Sequence, residues 1–383
     1  MTAPSETTNP PLADAAPQTG APQTAAPHRP HQPDARADAR PDAPEVLERC
    51  RDLVRPALAE AVRRVHPYPG EMTAYSLGWC AVGGTPEPGP RAEGKGVRQA
   101  LAVLGAEAAG APGDTGVPAA VAVELVHLFS LLHDDVMDGD EMRRQRPTAW
   151  KAYGTGPAVL AGDALFAQAV ELLAETPGTQ GGAAVRRLAA ALGDLVRGQS
   201  DDLLFESRPW RGPEAVSPGE YRTMAENKTG ALLGSAMALG AVLAGAPASV
   251  ADGLDSAGRH LGIAFQAVDD LLGIWGDPAA TGKPVHNDLR QAKKTYPVLS
   301  ALEDGGPAAQ RLGTLLGSAQ PLDATAARTA AGLVEEAGGR TAALREARAQ
   351  LDAARGCLAA LPLERAAVQD VQALLPFLID RSV

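Results

Sequence analysis

Two stretches, LLHDDVMDGDEMRRQRPT at 131–148 and FQAVDDLLGIWGDP at 265–278, set aspartates into runs of apolar side chains. Apolar residues recur around them at three- and four-residue spacing, the period of a helix face turned toward a core. Asp134 and Asp138 lie four residues apart and share a face, with Asp135 three residues from Asp138. That spacing offers three carboxylates to one metal cluster. In the second stretch Gln266, Asp269 and Asp270 occupy neighbouring turns, and Gly273 stands where a third acid would repeat the pattern. Carboxylates crowded on apolar helices repel by several kcal/mol at intermediate dielectric unless a cation lies between them. Hard oxygen ligands favour magnesium, with manganese as the alternative.

Outward from these stretches the same period continues. It predicts helices at 45–65, 96–110, 117–138, 156–174, 183–205, 218–245, 248–276 and 290–303, with several more between 307 and 381. Loops are expected at 177–182, 207–219 and 276–288, where Gly and Pro gather. The fold class is therefore all-α, a single-domain helical bundle over 45–383. Residues 1–44 differ in kind, holding ten of the 32 prolines and, after Met1, only Leu12 as a large aliphatic side chain. Such a segment cannot bury enough apolar surface to offset its ordering entropy, so a disordered tail is expected, either solvating or docking to a partner.

A formal net charge of -11 argues against nonspecific nucleic-acid binding, which needs excess Lys and Arg. An anionic ligand must then be met by local cations or metal. Candidates are Arg143 and Arg144 after the first cluster, Lys228 beside Thr229 in ENKTGALLGSAMALG, and Lys283 in the loop after the second cluster. Cys50, Cys80 and Cys357 are dispersed and suggest neither a disulfide framework nor a zinc site, which fits a cytoplasmic protein. No run approaches the roughly 18 consecutive apolar residues of a membrane span, and the N-terminus lacks a signal-peptide pattern.

Taken together, DDVMD at 134–138, RRQRPT at 143–148, GTGPAVLAGDALF at 154–166, GQSDDL at 198–203, KTG at 228–230, the second aspartate stretch and TGKPVHNDLRQAKKTYPV at 281–298 resemble the trans-type isoprenyl diphosphate synthases, or polyprenyl synthetases. The resemblance implies the isoprenoid synthase fold, usually a homodimer, and magnesium-dependent transfer of an allylic group onto isopentenyl diphosphate. Carried over, Asp134, Asp138 and Asp269 are the metal ligands, with Asp135 and Asp270 supporting them or binding the metal through water. Arg143, Lys228 and Lys283 hold the allylic diphosphate, while Thr229 and Gln266 flank the cation.

The isopentenyl site implied by the resemblance comprises Lys95, Arg98, His127 and Arg144. Here EGKGVRQ at 93–99 departs from the family's GGKRxRP: Gly96 and Gln99 replace an Arg and a Pro. Chain length in such enzymes is set by bulk beneath the first motif. Phe129, about 7.5 Å below Asp134 along the helix axis, is the expected floor. With small Ser130 beside it, the pattern resembles the type that makes geranylgeranyl diphosphate. A class I terpene cyclase on the same scaffold would not need the isopentenyl cations, and a noncatalytic partner subunit would not need the metal ligands. The tail resembles those of actinobacterial polyprenyl synthetases carried inside encapsulin shells, which implies a nanocompartment location.

Overall fold

The aspartate stretches form the C-terminal ends of two long helices, each entered through a Pro in its first turn or at its cap. The computed structural model describes residues 42–87, 94–278, 285–318 and 322–379. Lys283 lies outside the described residues, as does the tail up to residue 41, and with them the expectations placed on disorder and shell docking. From residue 40 onward the chain is one compact unit, and its described residues are almost entirely helical.

The helices are α1 (Ala43–Arg64), α2 (Pro67–Ser76), α3 (Val97–Ala108), α4 (Val117–Met137), α5 (Ala149–Tyr153), α6 (Thr155–Ala174), α7 (Gln180–Ser207) and α8 (Pro218–Ala225). A π-helical turn (Glu226–Gly230) joins α8 to α9 (Ala231–Leu243), followed by α10 (Ala248–Trp275), α11 (Asn287–Arg290), α12 (Tyr296–Glu303), α13 (Pro307–Leu316), α14 (Ala324–Glu336), α15 (Gly339–Ala359) and α16 (Arg365–Ile379). At the centre stands α9, whose residues Ala231 through Ala241 are all buried. A helix apolar on every side belongs in a core. It packs on α3, α4, α7 and α10, and the main core runs through all of them. A smaller cluster around Ile274, Leu289, Val298, Leu312 and Val334 joins the end of α10 to α11–α14.

Three local features depart from the expected pattern. Residues 67–76 (PYPGEMTAYS), outside every expected helix, form α2, because Pro in a first turn forfeits only an N–H that a helix start leaves unpaired. The expected helix 290–303 is interrupted: α11 ends at Arg290, Ala292 adopts φ 54° in a turn, Thr295 is extended, and Pro297 lies in the first turn of α12. The strands Met142–Arg143 and Arg146–Pro147 make a small hairpin, turned by Arg144 at φ 49° and Gln145 at φ 63°. By length and mean hydropathy α4 and α6 are apolar enough to cross a membrane, although neither is an unbroken apolar run. Much of α4 is core, whereas α6 keeps Val159 and Leu160 exposed.

Candidate active site

A cavity of about 1350 Å³ opens between α4, α7 and α10. Three stripes line it: His127, Leu128, Leu131 and Asp134 on α4; Leu195, Gln199 and Asp202 on α7; Gln266, Asp269 and Gly273 on α10. Each stripe follows the helical three- and four-residue period, with Leu128 and Leu131 on α4 and Leu195 on α7 apolar and Asp134, Asp202 and Asp269 supplying carboxylates toward the other end. The arrangement gives a charged mouth above an apolar floor.

Asp134 faces this mouth. Burial pushes its pKa up to about 6, with Asp138 and Asp135 adding to the rise against the pull of Lys228 and Arg143. Asp138 caps α4 and lies 3.9 Å from the Lys293 ammonium. Asp135, expected to support the metal ligands, is turned to an arginine. It is buried, and its Oδ1 accepts from Arg143 Nε at 2.9 Å and Nη2 at 2.6 Å. One step along the helix, about 100°, turns Asp135 away from Asp134 and toward the hairpin. The hairpin in turn commits Arg143 to Asp135, so this arginine is an anchored neighbour of the cluster.

Across the cavity Asp269 is half-buried and Asp270 buried. Asp270 Oδ2 accepts from the Tyr221 hydroxyl at 2.6 Å and the Tyr296 backbone N–H at 2.9 Å, and Oδ1 accepts from Gln266 at 3.1 Å. Burial nevertheless raises its pKa to about 7. Asp270 thus ties α8, α10 and α12 together; both acids line the cavity, and Asp269 is the less buried of the pair. The gap at Gly273 is filled from elsewhere. A Cβ on Gly273 would lie 1.8 Å from Asp288 Oδ2, so α11 lends its carboxylate to the space the missing acid would take. Asp288 lines the cavity with Lys293 and Lys294.

Lys228 enters from the π-helical turn and donates to Asp202 Oδ2 at 2.5 Å. Burial opposes its charge, but Asp202, then Asp134, outweigh burial and hold its pKa above the ordinary value. The turn sits hard against α7: a Cβ on Gly198 would lie 2.2 Å from the Lys228 backbone nitrogen, a contact only glycine permits. Thr229 Oγ1 donates to Gln266 Oε1 at 3.0 Å. Both predicted cation-flanking side chains therefore meet, and they bond each other.

A second cationic group lines another part of the wall. Arg98 Nη1 and His127 Nε2 are 3.3 Å apart, and the Arg144 guanidinium lies against Gly94. Lys95 places its ammonium 4.8 Å from the Phe377 ring centroid, a contribution from α16 that no motif announced. Burial, then Arg98 and Arg144, drive the His127 pKa well below its ordinary value, so the imidazole is neutral.

The expected floor is corrected. Ser130 lines the cavity and Phe129 does not. Five residues turn a helix about 500°, which puts Phe129 roughly 140° from Asp134, whereas Ser130 stays within about 40°. The Phe129 ring packs instead edgewise on His133 at 4.7 Å and near Phe166 at 6.0 Å. Sequence reasoning also passed over Asp202, Asp288, Lys293, Lys294 and Tyr221. All but Tyr221 lie inside the quoted GQSDDL and TGKPVHNDLRQAKKTYPV segments, where charge repeated near the loop was the available signal.

Among the described residues, no three His, Cys, Asp or Glu side chains converge closely enough to hold a metal ion by themselves. The donors nonetheless suit a hard divalent cation shared with a ligand: carboxylates face one another across the mouth, and the ionisation that burial makes costly at Asp134 is one a cation would favour.

The polyprenyl synthetase family model matches residues 90–332. Among curated proteins, the (2E,6E)-farnesyl diphosphate synthase of Mycobacterium tuberculosis is 42% identical over 360 residues, covering 92% of this chain and 97% of its own. The geranylgeranyl diphosphate synthase of the same organism is 43% identical over 318 residues, covering 83% and 88%. Among solved structures, a polyprenyl synthetase from Streptomyces coelicolor A3(2) superposes with a TM-score of 0.83 at 47% identity, covering 88% of this chain and all of its own.

Proposed function

Because the chain belongs to the polyprenyl synthetase family, we propose that it is a trans-prenyltransferase joining isopentenyl diphosphate to an allylic diphosphate, with geranylgeranyl diphosphate as its main product. One observation carries the reading: a single cavity with an apolar floor holds two cation groups, Lys228 and Lys293 among the Asp134, Asp202 and Asp269 carboxylates, and Lys95, Arg98 and Arg144 around His127. A cyclase needs only the first group. Two anionic substrates need both.

In this reading Asp134, Asp138 and Asp269 would hold magnesium or manganese, and the metal would neutralise the diphosphate as it leaves. Lys228, steadied by Asp202, binds the allylic diphosphate and follows its growing charge. Lys293 reaches the same mouth beside Asp138. Lys95, Arg98 and Arg144 seat the isopentenyl diphosphate, with neutral His127 accepting from Arg98 and fixing the fork of its guanidinium. The KM for isopentenyl diphosphate is therefore expected to show no inflection near pH 6.5. An inflection there that disappears in His127→Gln would refute the neutral imidazole.

Chain length is read from the wall beside Ser130. Ser130→Phe is expected to shift the main product one isoprene unit shorter. Phe129→Ala, which removes a ring outside the wall, should leave chain length unchanged while costing roughly 2 kcal/mol of stability. Chromatography of dephosphorylated products checks both, and a longer product from Phe129→Ala would restore that ring as the floor. The overall test supplies magnesium, isopentenyl diphosphate and each allylic starter in turn. Failure to consume isopentenyl diphosphate with any starter defeats the reading.

A further inference from the structure

Gln199 lies between the two halves of the α7 stripe, with Leu195 one turn toward the floor and Asp202 one turn toward the mouth. It is 7% exposed, and among the described residues neither its Oε1 nor its Nε2 has a hydrogen-bond partner. A buried amide with both atoms unpaired is a cost that folded proteins rarely carry. The neighbouring Gln266 differs, since its Oε1 accepts from Thr229 and its Nε2 donates to Asp270. Gln199 is thus the uncommitted amide at the boundary between the diphosphate end and the apolar floor. Its height is fixed, because Gly198 beside it is packed against the Lys228 backbone.

Resting on the prenyltransfer reading, we propose that Gln199 is a catalytic residue whose amide carbonyl faces the allylic carbons and stabilises the positive charge that develops there. The C1–O bond breaks and its electron pair leaves with the diphosphate, so the charge spreads over C1 and C3. The double bond of isopentenyl diphosphate then forms the new bond to C1, and the proton lost from its C2 passes to the released pyrophosphate. A carbonyl oxygen turned to this cation gains an interaction in the transition state that the neutral substrate does not offer. The unpaired amide of the free enzyme is then a stability cost held for turnover.

The test compares Gln199→Met with wild type, using magnesium, isopentenyl diphosphate and farnesyl diphosphate. Gln168→Met is the control, since Gln168 is 6% exposed with an unpaired Nε2 but does not line the cavity. Gln199→Met is expected to lose roughly 10- to 100-fold in kcat with the KM for isopentenyl diphosphate unchanged, while its melting temperature rises by about 2 °C. Gln168→Met should keep the wild-type kcat. A kcat for Gln199→Met within threefold of wild type overturns the proposal, as does an equal loss in Gln168→Met. Wild-type protein that consumes no isopentenyl diphosphate instead refutes the prenyltransfer reading and takes this proposal with it.

Discussion

Gly273→Asp is expected to lower turnover by roughly 10- to 100-fold, although on paper it completes the second aspartate motif. The reason is spatial. The first atom of any side chain at 273 would overlap the Asp288 carboxylate, at 1.8 Å from Oδ2 and 2.4 Å from Cγ. The Asp288 backbone is held, because its carbonyl accepts from the Lys293 N–H at 2.8 Å in the turn that brings Lys293 and Lys294 to the cavity, so the carboxylate yields by changing its rotamer. That rotation takes its charge out of the space the missing acid would occupy. Overpacking of this kind costs about 1–3 kcal/mol in stability, and a displacement of about 1 Å at a reacting centre can cost about 10²-fold in rate. Steady-state kinetics of Gly273→Asp, Gly273→Ala and the double variant Gly273→Asp with Asp288→Gly check the argument. The double variant should recover at least tenfold over Gly273→Asp. A single Gly273→Asp variant as active as wild type would show that Asp288 does not occupy the missing acid's place.

How far the sequence could be read follows from what each feature depends on. Helices 117–138 and 248–276 were legible to within a residue or two, because their period is set by burial and their ends by Pro, Gly and charge. Residues 67–76 were not, since two prolines and a glycine in ten positions mask a helix that is held by burying Met72, Thr73 and Tyr75. The site divides in the same way. Motif residues were found because aspartates stand out against apolar neighbours, and the cavity gathers Lys95, Arg98, His127, Arg144, Lys228 and Asp269. Roles that depend on direction were harder. Asp135 and Phe129 are each close to Asp134 in number, yet helix geometry turns one to Arg143 and the other to His133. Asp202 and Asp288 act through partners 26 and 15 positions away, a pairing that only tertiary structure reveals.

Asp134→Asn separates the two effects of that carboxylate, because its expected changes in activity and stability have opposite signs. The side chain keeps its size but loses the charge that would bind a divalent cation, and turnover is expected to fall by at least about 10³-fold. Stability should move the other way. The folded-state pKa of about 6 lies above the ordinary aspartate value of about 3.9, so the folded protein binds the proton more tightly than the unfolded chain. The stabilisation from that proton is full below the unfolded pKa and is lost as pH rises through about 6. Metal-free wild-type protein should accordingly lose part of its stability between about pH 4 and pH 6, and Asp134→Asn should lose less over that interval. Asp270, raised to about 7 by burial, extends the decline in both proteins. Adding magnesium to wild type at pH 8 should recover the lost stability, since a cation bound only by the folded state favours it, while Asp134→Asn should gain little. Thermal melts of both proteins with and without magnesium, at pH 5 and pH 8, read all four terms. Equal magnesium gains in the two proteins at pH 8 would remove Asp134 from the metal site, whatever the turnover shows.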